Sequence, residues 1–265
     1  MSLDPDLYPV APPSVGANEP IVYPDSDGMP MADNTRQWDL IVLLVNGLRI
    51  EFSDDPNVFV AGDLLWYPVE GDPRTRIAPD ALVAFGRPAG HRGSYMQWRE
   101  NHVAPHVVFE VLSPGNRLGE MLAKRNFYER FGVEEYYVLD PDSGAMEGWL
   151  RTAGRFQPVA DMQGWISPRL KIRFESDPHD ADDPIRLFHS GGARFASASA
   201  LNMAAKKAEQ SAERAEQAAE RAEQEKRQAE QEKRKAEEAR QQAEARAARL
   251  AERLRRLGLD PEDEE

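Results

Sequence analysis

The sequence predicts a mixed α/β domain with one central sheet flanked by helices, followed by a long C-terminal helix. Apolar runs of strand length alternate with helix-period segments, in the order helix, three strands, helix, strand. Beyond residue 200 the composition changes to Ala, Glu, Gln, Arg and Lys, with no Gly or Pro until Gly258. With 265 residues and 41% hydrophobic content, the chain is long enough for one good-sized core.

The first half of the domain begins with an arm and a helix. The Pro-, Asp- and Gly-rich start has little periodicity and indicates an extended arm. The apolar cluster after it indicates a largely buried helix that begins near Asp33 or Thr35. Two apolar runs bounded by Gly and Pro then read as strands, and a polar loop follows. The predicted elements are the arm 1–34, the helix Trp38–Leu48, the strands Val58–Tyr67 and Ile77–Phe85, and the loop 86–104.

The second half repeats strand and helix signals. A Ser-Pro-Gly-Asn turn at 113–116 precedes a helix that Gly132 stops, as glycine commonly does just after a helix. A hairpin follows the last sheet strand, and short apolar pieces are expected to close the core. The predicted elements are the strand 106–112, the helix from about 117 to 131, the strand 135–140, the hairpin of 148–151 and 154–159, and the closing pieces in 168–188. The folded domain is placed at residues 35–195.

The tail predicts a coiled-coil helix over residues 200–257, followed by an acidic segment at 258–265. Every seventh residue from Leu201 to Leu257 is apolar, nine positions in all, and a second series begins at Ala205. This alternating spacing of four and three is the heptad pattern that predicts pairing, here as a homodimer. The seam is Ala-rich and has basic residues at three positions of the second series, so a solitary helix stabilised by Glu–Lys/Arg pairs is the alternative.

Composition excludes several classes of protein. The formal charge is −13; residues 1–195 hold 18 basic and 29 acidic side chains (net −11), and residues 196–265 hold 15 and 17 (net −2). This acidity argues against nucleic-acid binding by a broad basic face. The chain has no Cys, which excludes disulfides, thiolate ligands and a Cys nucleophile. No signal peptide is recognisable at the start and no apolar run reaches 18 residues, so we expect a cytoplasmic protein that does not enter a membrane.

Two strands each carry one carboxylate in an apolar setting. Asp80 stands at the entry of one strand, and Glu110 lies within Val107-Val108-Phe109-Glu110-Val111. A lone buried acid costs desolvation free energy unless a cation pairs with it. Carboxylates on neighbouring strands suit Mg²⁺, with Mn²⁺ as an alternative, and the backbone carbonyl of Val111 can complete the set. A divalent ion there, with Lys124 on the next helix, predicts phosphodiester hydrolysis.

The motifs around these acids resemble the Uma family of restriction-endonuclease-like proteins, within the PD-(D/E)XK nuclease superfamily. The resemblance runs from about residue 20 to the end of the chain. It is carried by Ala78-Pro79-Asp80-Ala81-Leu82-Val83, by Val107 to Arg117, by Lys124 to Pro141, by Tyr23 to Met31, by Gly62 to Gly71, and by Leu254 to Pro261. It implies a restriction-endonuclease-like fold, metal dependence and DNA as the substrate.

Carried over by position, Asp80 is the motif aspartate and Glu110 the motif glutamate. The residue two after Glu110 is Lys in the superfamily pattern, but Leu112 stands there. The resemblance suggests that Lys124 takes over the role of assisting the water nucleophile. If it does not, the chain is a weak or inactive nuclease.

Each candidate also has a structural interpretation. Asp80 could bind turn amides, and Glu110 could form an ion pair with Arg76 or Arg117. Lys124 could pair with Glu120 one turn earlier, although it lies on the apolar arc of its helix with Met121 and Tyr128. Asp63 is a candidate further ligand, but Gly62-Asp63 also suits a bend. Tyr128 is interpreted as core.

The sequence therefore predicts a Mg²⁺-dependent DNA endonuclease with Asp80, Glu110 and Lys124 as catalytic residues. The alternative is a catalytically weak or inactive nuclease-like domain that serves as an oligomeric interaction module. Leu112 and the acidic domain favour that alternative, and the intact pair of acids favours the enzyme. Three arginines of the polar loop, Arg87, Arg92 and Arg99, are expected to contact phosphates.

Overall fold

The computed structural model describes residues 20–28, 30–116 and 118–256. The chain divides into two units between Ala198 and Ser199. Most of the predicted arm, Arg117, the seam residue Leu257 and the predicted acidic segment 258–265 lie outside the described residues.

The first unit contains two long helices and ten strands among its described residues. In chain order the elements are α1 (Thr35–Glu51), β1 (Val58–Ala61), β2 (Trp66–Tyr67), β3 (Ala81–Phe85), β4 (Tyr95–Met96), a short 3₁₀ helix (Gln97–Glu100), β5 (Val107–Val111), α2 (Leu118–Phe131), β6 (Glu135–Leu139), β7 (Met146–Thr152), β8 (Arg155–Pro158), β9 (Arg173–Ser176) and β10 (Ile185–Phe188). A third helix, α3, runs from Ala198 to Arg256.

Six strands form the central sheet, in the order β1-β3-β5-β6-β7-β8. Strands β5 and β6 are parallel and α2 connects them, as a parallel crossover requires. The remaining neighbours in this sheet pair antiparallel, and β9 and β10 form a separate hairpin. The predicted mixed α/β fold with one central sheet flanked by helices is confirmed.

Helix α1 covers one face of the sheet. Its start is set by Asn34, whose side-chain oxygen accepts the backbone N–H of Gln37 at 2.9 Å. Leu40, Leu44 and Leu48 lie at helical spacing and are buried in a core shared with the inward side chains of the central strands. The predicted helix at Trp38–Leu48 is therefore confirmed; it begins at Thr35, one of the two predicted starts and two residues after the other, Asp33.

Helix α2 contributes to the core on the other face. Tyr128 is its only buried residue among those described, and it packs with Val108, Tyr136 and other side chains of a second apolar cluster. The helix ends at Phe131, and Gly132 follows with φ of 102°, a conformation that favours glycine. The two cores place β3 and β5 at the centre of the domain, buried on both sides.

The predicted strand over Val58–Tyr67 is wrong in its length. The chain bends at Gly62 and Asp63, so that β1 ends at Ala61 and the short β2 pairs with β4 instead. A Cβ at Gly62 would lie 2.8 Å from a methyl carbon of Val45 and 3.1 Å from the carbonyl oxygen of Asp80, so the bend needs glycine. Apolar residues continue through the bend, and their pattern therefore resembles one strand.

Two other predicted elements also differ. Regular β3 begins at Ala81 rather than Ile77, which makes only an isolated bridge to Trp66. The loop 86–104 includes β4 and the 3₁₀ helix, because Tyr95 is fully buried and pairs with Trp66. The closing pieces at 168–188 supply β9 and β10.

Helix α3 extends over 59 residues, and its described side chains are largely exposed. Local ion pairs run along it, such as Arg227–Glu223 at 2.6 Å and Arg256–Glu252 at 2.7 Å. The predicted long C-terminal helix is confirmed. Over the described ranges, no helix has the length and apolarity needed to cross a bilayer.

Candidate active site

Strand pairing brings the two predicted acids together. Strands β3 and β5 are antiparallel with Ala81 opposite Phe109, and the same register places Asp80 opposite Glu110. Residues opposite each other in an antiparallel pair direct their side chains to the same face. The backbone N–H of Val111 donates to Asp80 Oδ2 at 2.6 Å, which fixes the Asp80 carboxyl at the end of β5.

Glu110 is the deeply buried acid of the pair, with an exposed fraction of only 2%. Its two oxygens have different partners. Lys124 Nζ lies 2.8 Å from Oε2, and the hydroxyl of Tyr128 donates to Oε1. Both partners come from α2, one helical turn apart, because residues four apart share a helix face. The pairing partner of Glu110 is thus Lys124, not Arg76, while Arg117 is outside the described residues.

Lys124 points into the protein. Its side chain is 22% exposed, and its ammonium contacts Glu110 rather than forming the surface pair with Glu120. Burial lowers the pKa of Lys124, but the charge and hydrogen bond of Glu110 outweigh burial and leave that pKa above its ordinary value. The ammonium therefore stays protonated near neutral pH, so Lys124 can stabilise negative charge but cannot remove a proton from water.

Among the described residues, the acids of the site outnumber its cations. Burial raises the pKa of Asp80 well above its ordinary value of 3.8, and the nearby Glu110 carboxylate raises it further. Burial also raises the pKa of Asp63, with Asp27 adding to the shift. One ammonium does not balance this group of carboxyls, and a bound cation would lower their pKa values again.

Val111 offers its backbone at the same edge. Its carbonyl oxygen accepts a hydrogen bond from Gln37 Nε2 at 2.8 Å, and Gln37 Oε1 accepts the N–H of Asp33 at 2.8 Å. Gln37 is 7% exposed, so this amide is held from both ends. A carbonyl oxygen has two lone pairs, and the second is available to a metal ion.

Asp63 lies in the bend between β1 and β2, with φ of 46° and its N–H donating to the carbonyl of Pro79 at 3.1 Å. The backbone of Asp63 thus forms the bend that the sequence suggests. The residue also lines the cleft described below. Across the described part of the chain, no three His, Cys, Asp or Glu side chains form a group that could hold a metal ion. The oxygen donors at the site are two carboxylates and one carbonyl, a set that suits Mg²⁺ supplemented by water.

A cleft of about 430 Å³ opens beside Asp80 and Lys124. Its walls come from the segment before α1, the bend at Asp63, the approach to β3, and α2. Among the lining residues, the charged ones are Asp27, Asp33, Asp63, Arg76, Asp80, Glu120 and Lys124. The cleft is therefore acidic apart from two cations, which favours a bound cation over a bare anion.

The sequence alone did not identify two of the side chains that hold the site. In the sequence, Gln37 is one residue of a predicted buried helix, and no sequence pattern indicates its hydrogen bond to Val111, 74 positions away. Tyr128 was interpreted as core, which is correct for its ring, but its hydroxyl binds Glu110. The spacing Lys124-x-x-x-Tyr128 on one helix face was the available signal.

Leu112, in place of the superfamily lysine, is partly buried and packs against the second core cluster. Its N–H donates to the carbonyl of Leu139 on β6 at 2.8 Å. Of the loop arginines, Arg92 forms an ion pair with Glu100 at 2.6 Å and stacks over Phe59, which makes it a structural residue. Arg99 is exposed.

Comparison with known proteins identifies the family. Residues 27–171 match the model of the Uma2 family, described as "Putative restriction endonuclease". A crystal structure titled as a putative nuclease belonging to DUF820, from Anabaena variabilis, is similar at 13% identity and a TM-score of 0.39, covering 51% of this chain and 72% of that one. No curated protein matches the chain significantly. Because the family model spans more than half of the 265 residues, this chain belongs to the Uma2 family.

Proposed function

We propose that this protein is a divalent-metal-dependent DNA endonuclease. The observation that supports this most directly is the group at the ends of β3 and β5, where the Lys124 ammonium lies 2.8 Å from Glu110 and Glu110 lies opposite Asp80. Asp80 and Lys124 line a cleft, and Glu110 lies behind them. Two carboxylates and a retained cation in this arrangement suit hydrolysis of a phosphodiester. The family description points to the same class of reaction. DNA as the substrate and the cytoplasm as the location are part of this proposal.

Asp80, Glu110 and the Val111 carbonyl would hold the metal ion, Mg²⁺ or alternatively Mn²⁺. The ion would supply charge for the phosphoryl group and lower the pKa of a water molecule. Asp63, on the wall of the same cleft, is the proposed further ligand. The excess of carboxyls in the cleft and the raised pKa of Asp80 both support a cation at this place.

Lys124 would act as a fixed positive charge. In the metal-free protein the carboxylate of Glu110 holds the pKa of Lys124 above its ordinary value. As an ammonium, Lys124 would stabilise the attacking hydroxide or the developing phosphoryl charge. The lysine reaches Glu110 from α2, so it occupies the region that a lysine at position 112 would otherwise serve. This geometry supports the proposal that the site works with Leu112 in place of the lysine.

The second candidate function is an inactive interaction module. It is supported by the acidic cleft, which is unfavourable for DNA, and by the structural use of Arg92. Plasmid cleavage with Mg²⁺ or Mn²⁺ separates the two. We expect the intact protein to cleave and Glu110→Ala to be inactive, while Glu147→Ala, an exposed position on β7, retains activity. Absence of cleavage by the intact protein would favour the module.

We also propose that α3 pairs with the α3 helix of a second copy. The apolar positions of its predicted seam face solvent, with Leu201 and Leu250 41% and 62% exposed. A seam repeated along 59 residues is buried most simply by an identical helix. The resulting homodimer would hold two active sites in one particle, which suits cleavage of both strands of a duplex.

Charge favours an antiparallel arrangement of this pair. In a parallel pair, the three basic seam residues each face their own copies, which places three like-charged layers in succession. In an antiparallel pair centred at the level of position 238, each instead faces a smaller apolar residue: Lys226 faces Leu250, Lys233 faces Ala243, and Arg240 faces Ala236. Beside the seam, flanking side chains meet two residues off the level of the seam pairs, which brings Arg246 near Glu232 and Arg253 near Glu225 of the second copy.

The absence of Cys from the sequence allows a direct test of this arrangement. A thiol cross-linker should join Ala239→Cys copies, since that position flanks the seam within one residue of the centre of the antiparallel pair and lies beside its own copy. Ala208→Cys should not cross-link, because it lies beyond the overlap. Cross-linking at Ala208 alone would indicate a parallel pair. Sedimentation of the intact chain as a monomer would leave α3 as a solitary helix.

A further inference from the structure

The two carboxylate oxygens of Glu110 are bound by two residues that differ in exposure to solvent. Lys124 contacts Oε2 and lines the cleft, and 22% of its side chain is exposed. Tyr128 contacts Oε1 and is fully buried. Because Lys124 lines the cleft, the Oε2 side of Glu110 is the side that faces it, while the Oε1 side is closed by the packing of Tyr128.

The ring of Tyr128 has little freedom to move. It stacks on Trp66 with an interplanar angle of 4° and a centroid distance of 6.4 Å, and it packs on Tyr136 at 5.1 Å. Phe127 adds an edge contact at 6.1 Å. A hydroxyl carried by such a ring is a fixed donor, since neither rotation nor withdrawal of the side chain is compatible with this packing.

We infer that Tyr128 is a positioning residue for the proposed metal site: it holds Oε1 of Glu110 so that the carboxylate offers only Oε2 to a metal ion. This inference rests on the proposed function. One-oxygen coordination suits the small, six-coordinate Mg²⁺ and disfavours Ca²⁺, which readily takes both oxygens of a carboxylate. Tyr128 would thus contribute to the choice of metal as well as to its affinity.

The neighbouring Tyr136 provides a matched control. It is also buried, with 1% exposure, and belongs to the same core cluster as Tyr128. Its hydroxyl has no hydrogen-bond partner among the described residues. Tyr128→Phe and Tyr136→Phe therefore each delete one buried hydroxyl from one core, but only the first deletion releases Glu110.

Calorimetric titration of the intact protein and both variants with Mn²⁺ and with Ca²⁺ tests the inference. Tyr128→Phe should weaken Mn²⁺ binding by about tenfold or more, the usual effect of removing a partner that orients a ligand. It should weaken Ca²⁺ binding less, so that the preference for Mn²⁺ falls. Tyr136→Phe should leave both affinities within about twofold of the intact protein.

Equal metal affinities and equal preference in Tyr128→Phe and the intact protein would overturn the role of Tyr128 while leaving the proposed metal site in place. If the intact protein binds neither ion, the metal site itself fails and the inference fails with it. Should Tyr128→Phe be too unstable for titration, the rise in unfolding temperature on adding each ion gives the same comparison. An equal rise for Tyr128→Phe and Tyr136→Phe would then count against the inference.

Discussion

Helices α2 and α3 carry the same local charge pattern and use it differently. In α3, Glu252 and Arg256 stand four residues apart and form an exposed ion pair at 2.7 Å. In α2, Glu120 and Lys124 have the same spacing, but the lysine contacts Glu110 on β5 instead. The difference is the sheet beneath α2, which presents a buried carboxylate to the lysine.

The two kinds of ion pair differ in their contribution to the free energy of folding. An exposed i,i+4 pair contributes about 0.3–0.5 kcal/mol because water solvates both partners well. A carboxylate left unpaired in a protein interior costs several kcal/mol, so its cation is retained. Glu110 is 2% exposed, whereas the side chains of Arg256 and Glu252 are 78% and 64% exposed. Lys124 therefore pairs with Glu110 rather than with Glu120, because leaving the buried carboxylate unpaired would cost more free energy.

The largest expected effect follows from removing the buried cation. Lys124→Met should reduce DNA cleavage by about 100-fold or more, since it deletes a positive charge fixed beside the reacting groups. Metal affinity should be largely retained, because the oxygen ligands remain. Single-turnover cleavage and calorimetric titration with Mn²⁺ measure the two quantities.

Arg227→Met is the matched control for this change, because it removes the basic partner of an exposed pair in α3. Cleavage by this variant should equal that of the intact protein. If Lys124→Met cleaves as well as Arg227→Met does, then the buried pair has only a structural role and the comparison between the helices does not extend to catalysis.

The next effect is the pH dependence of metal binding. Asp80 has a raised pKa in the folded, metal-free protein, whereas in the unfolded chain it has the ordinary value of 3.8. Its contribution to stability is therefore fully present below pH 3.8 and is lost as the pH rises through the raised pKa. Metal binding needs the ionised form, so affinity for Mn²⁺ should fall by about tenfold per pH unit below that pKa.

Titration of Asp80→Asn with Mn²⁺ across the same pH range is the control. This variant should bind Mn²⁺ more weakly at neutral pH and with a shallower dependence on pH, because no proton competes at position 80. A variant with the same pH profile as the intact protein would assign the competing proton to another group.

A smaller effect is expected from a backbone change in α3. Ala229→Gly should destabilise this helix by about 1 kcal/mol, since glycine loses more conformational freedom in a helix than alanine. Thermal melting followed by circular dichroism should show helix loss at lower temperature, without a change in the unfolding of the first unit. Glu230→Gln, exposed and beside the substituted position, should melt like the intact protein.

The smallest effect should come from deleting α3 altogether. Removal of residues 199–265 should leave a folded, monomeric first unit that binds Mn²⁺ with unchanged affinity, because the proposed ligands Asp63, Asp80, Glu110 and Val111 all lie within that unit. Scanning calorimetry and sedimentation test this. A truncated protein that fails to fold, or that remains a dimer, would show that α3 does more than pair with its copy.

The sequence by itself determined the local elements. The helical spacing of Leu40, Leu44 and Leu48 predicts α1, and the absence of Gly and Pro from Ala205 to Arg256 predicts α3. The apolar runs around Asp80 and Glu110 predict two neighbouring buried strands. These patterns are readable because they repeat every two or every 3.6 residues, within one element.

The tertiary structure decided which side chains meet. The register of β3 against β5 places Asp80 opposite Glu110, and the crossover through α2 brings Lys124 and the hydroxyl of Tyr128 onto its two oxygens. Gln37 reaches Val111 across 74 positions of sequence. Buried polar groups need partners because desolvation is costly, but any correctly placed partner meets that need, so only the packing of distant elements selects the partner.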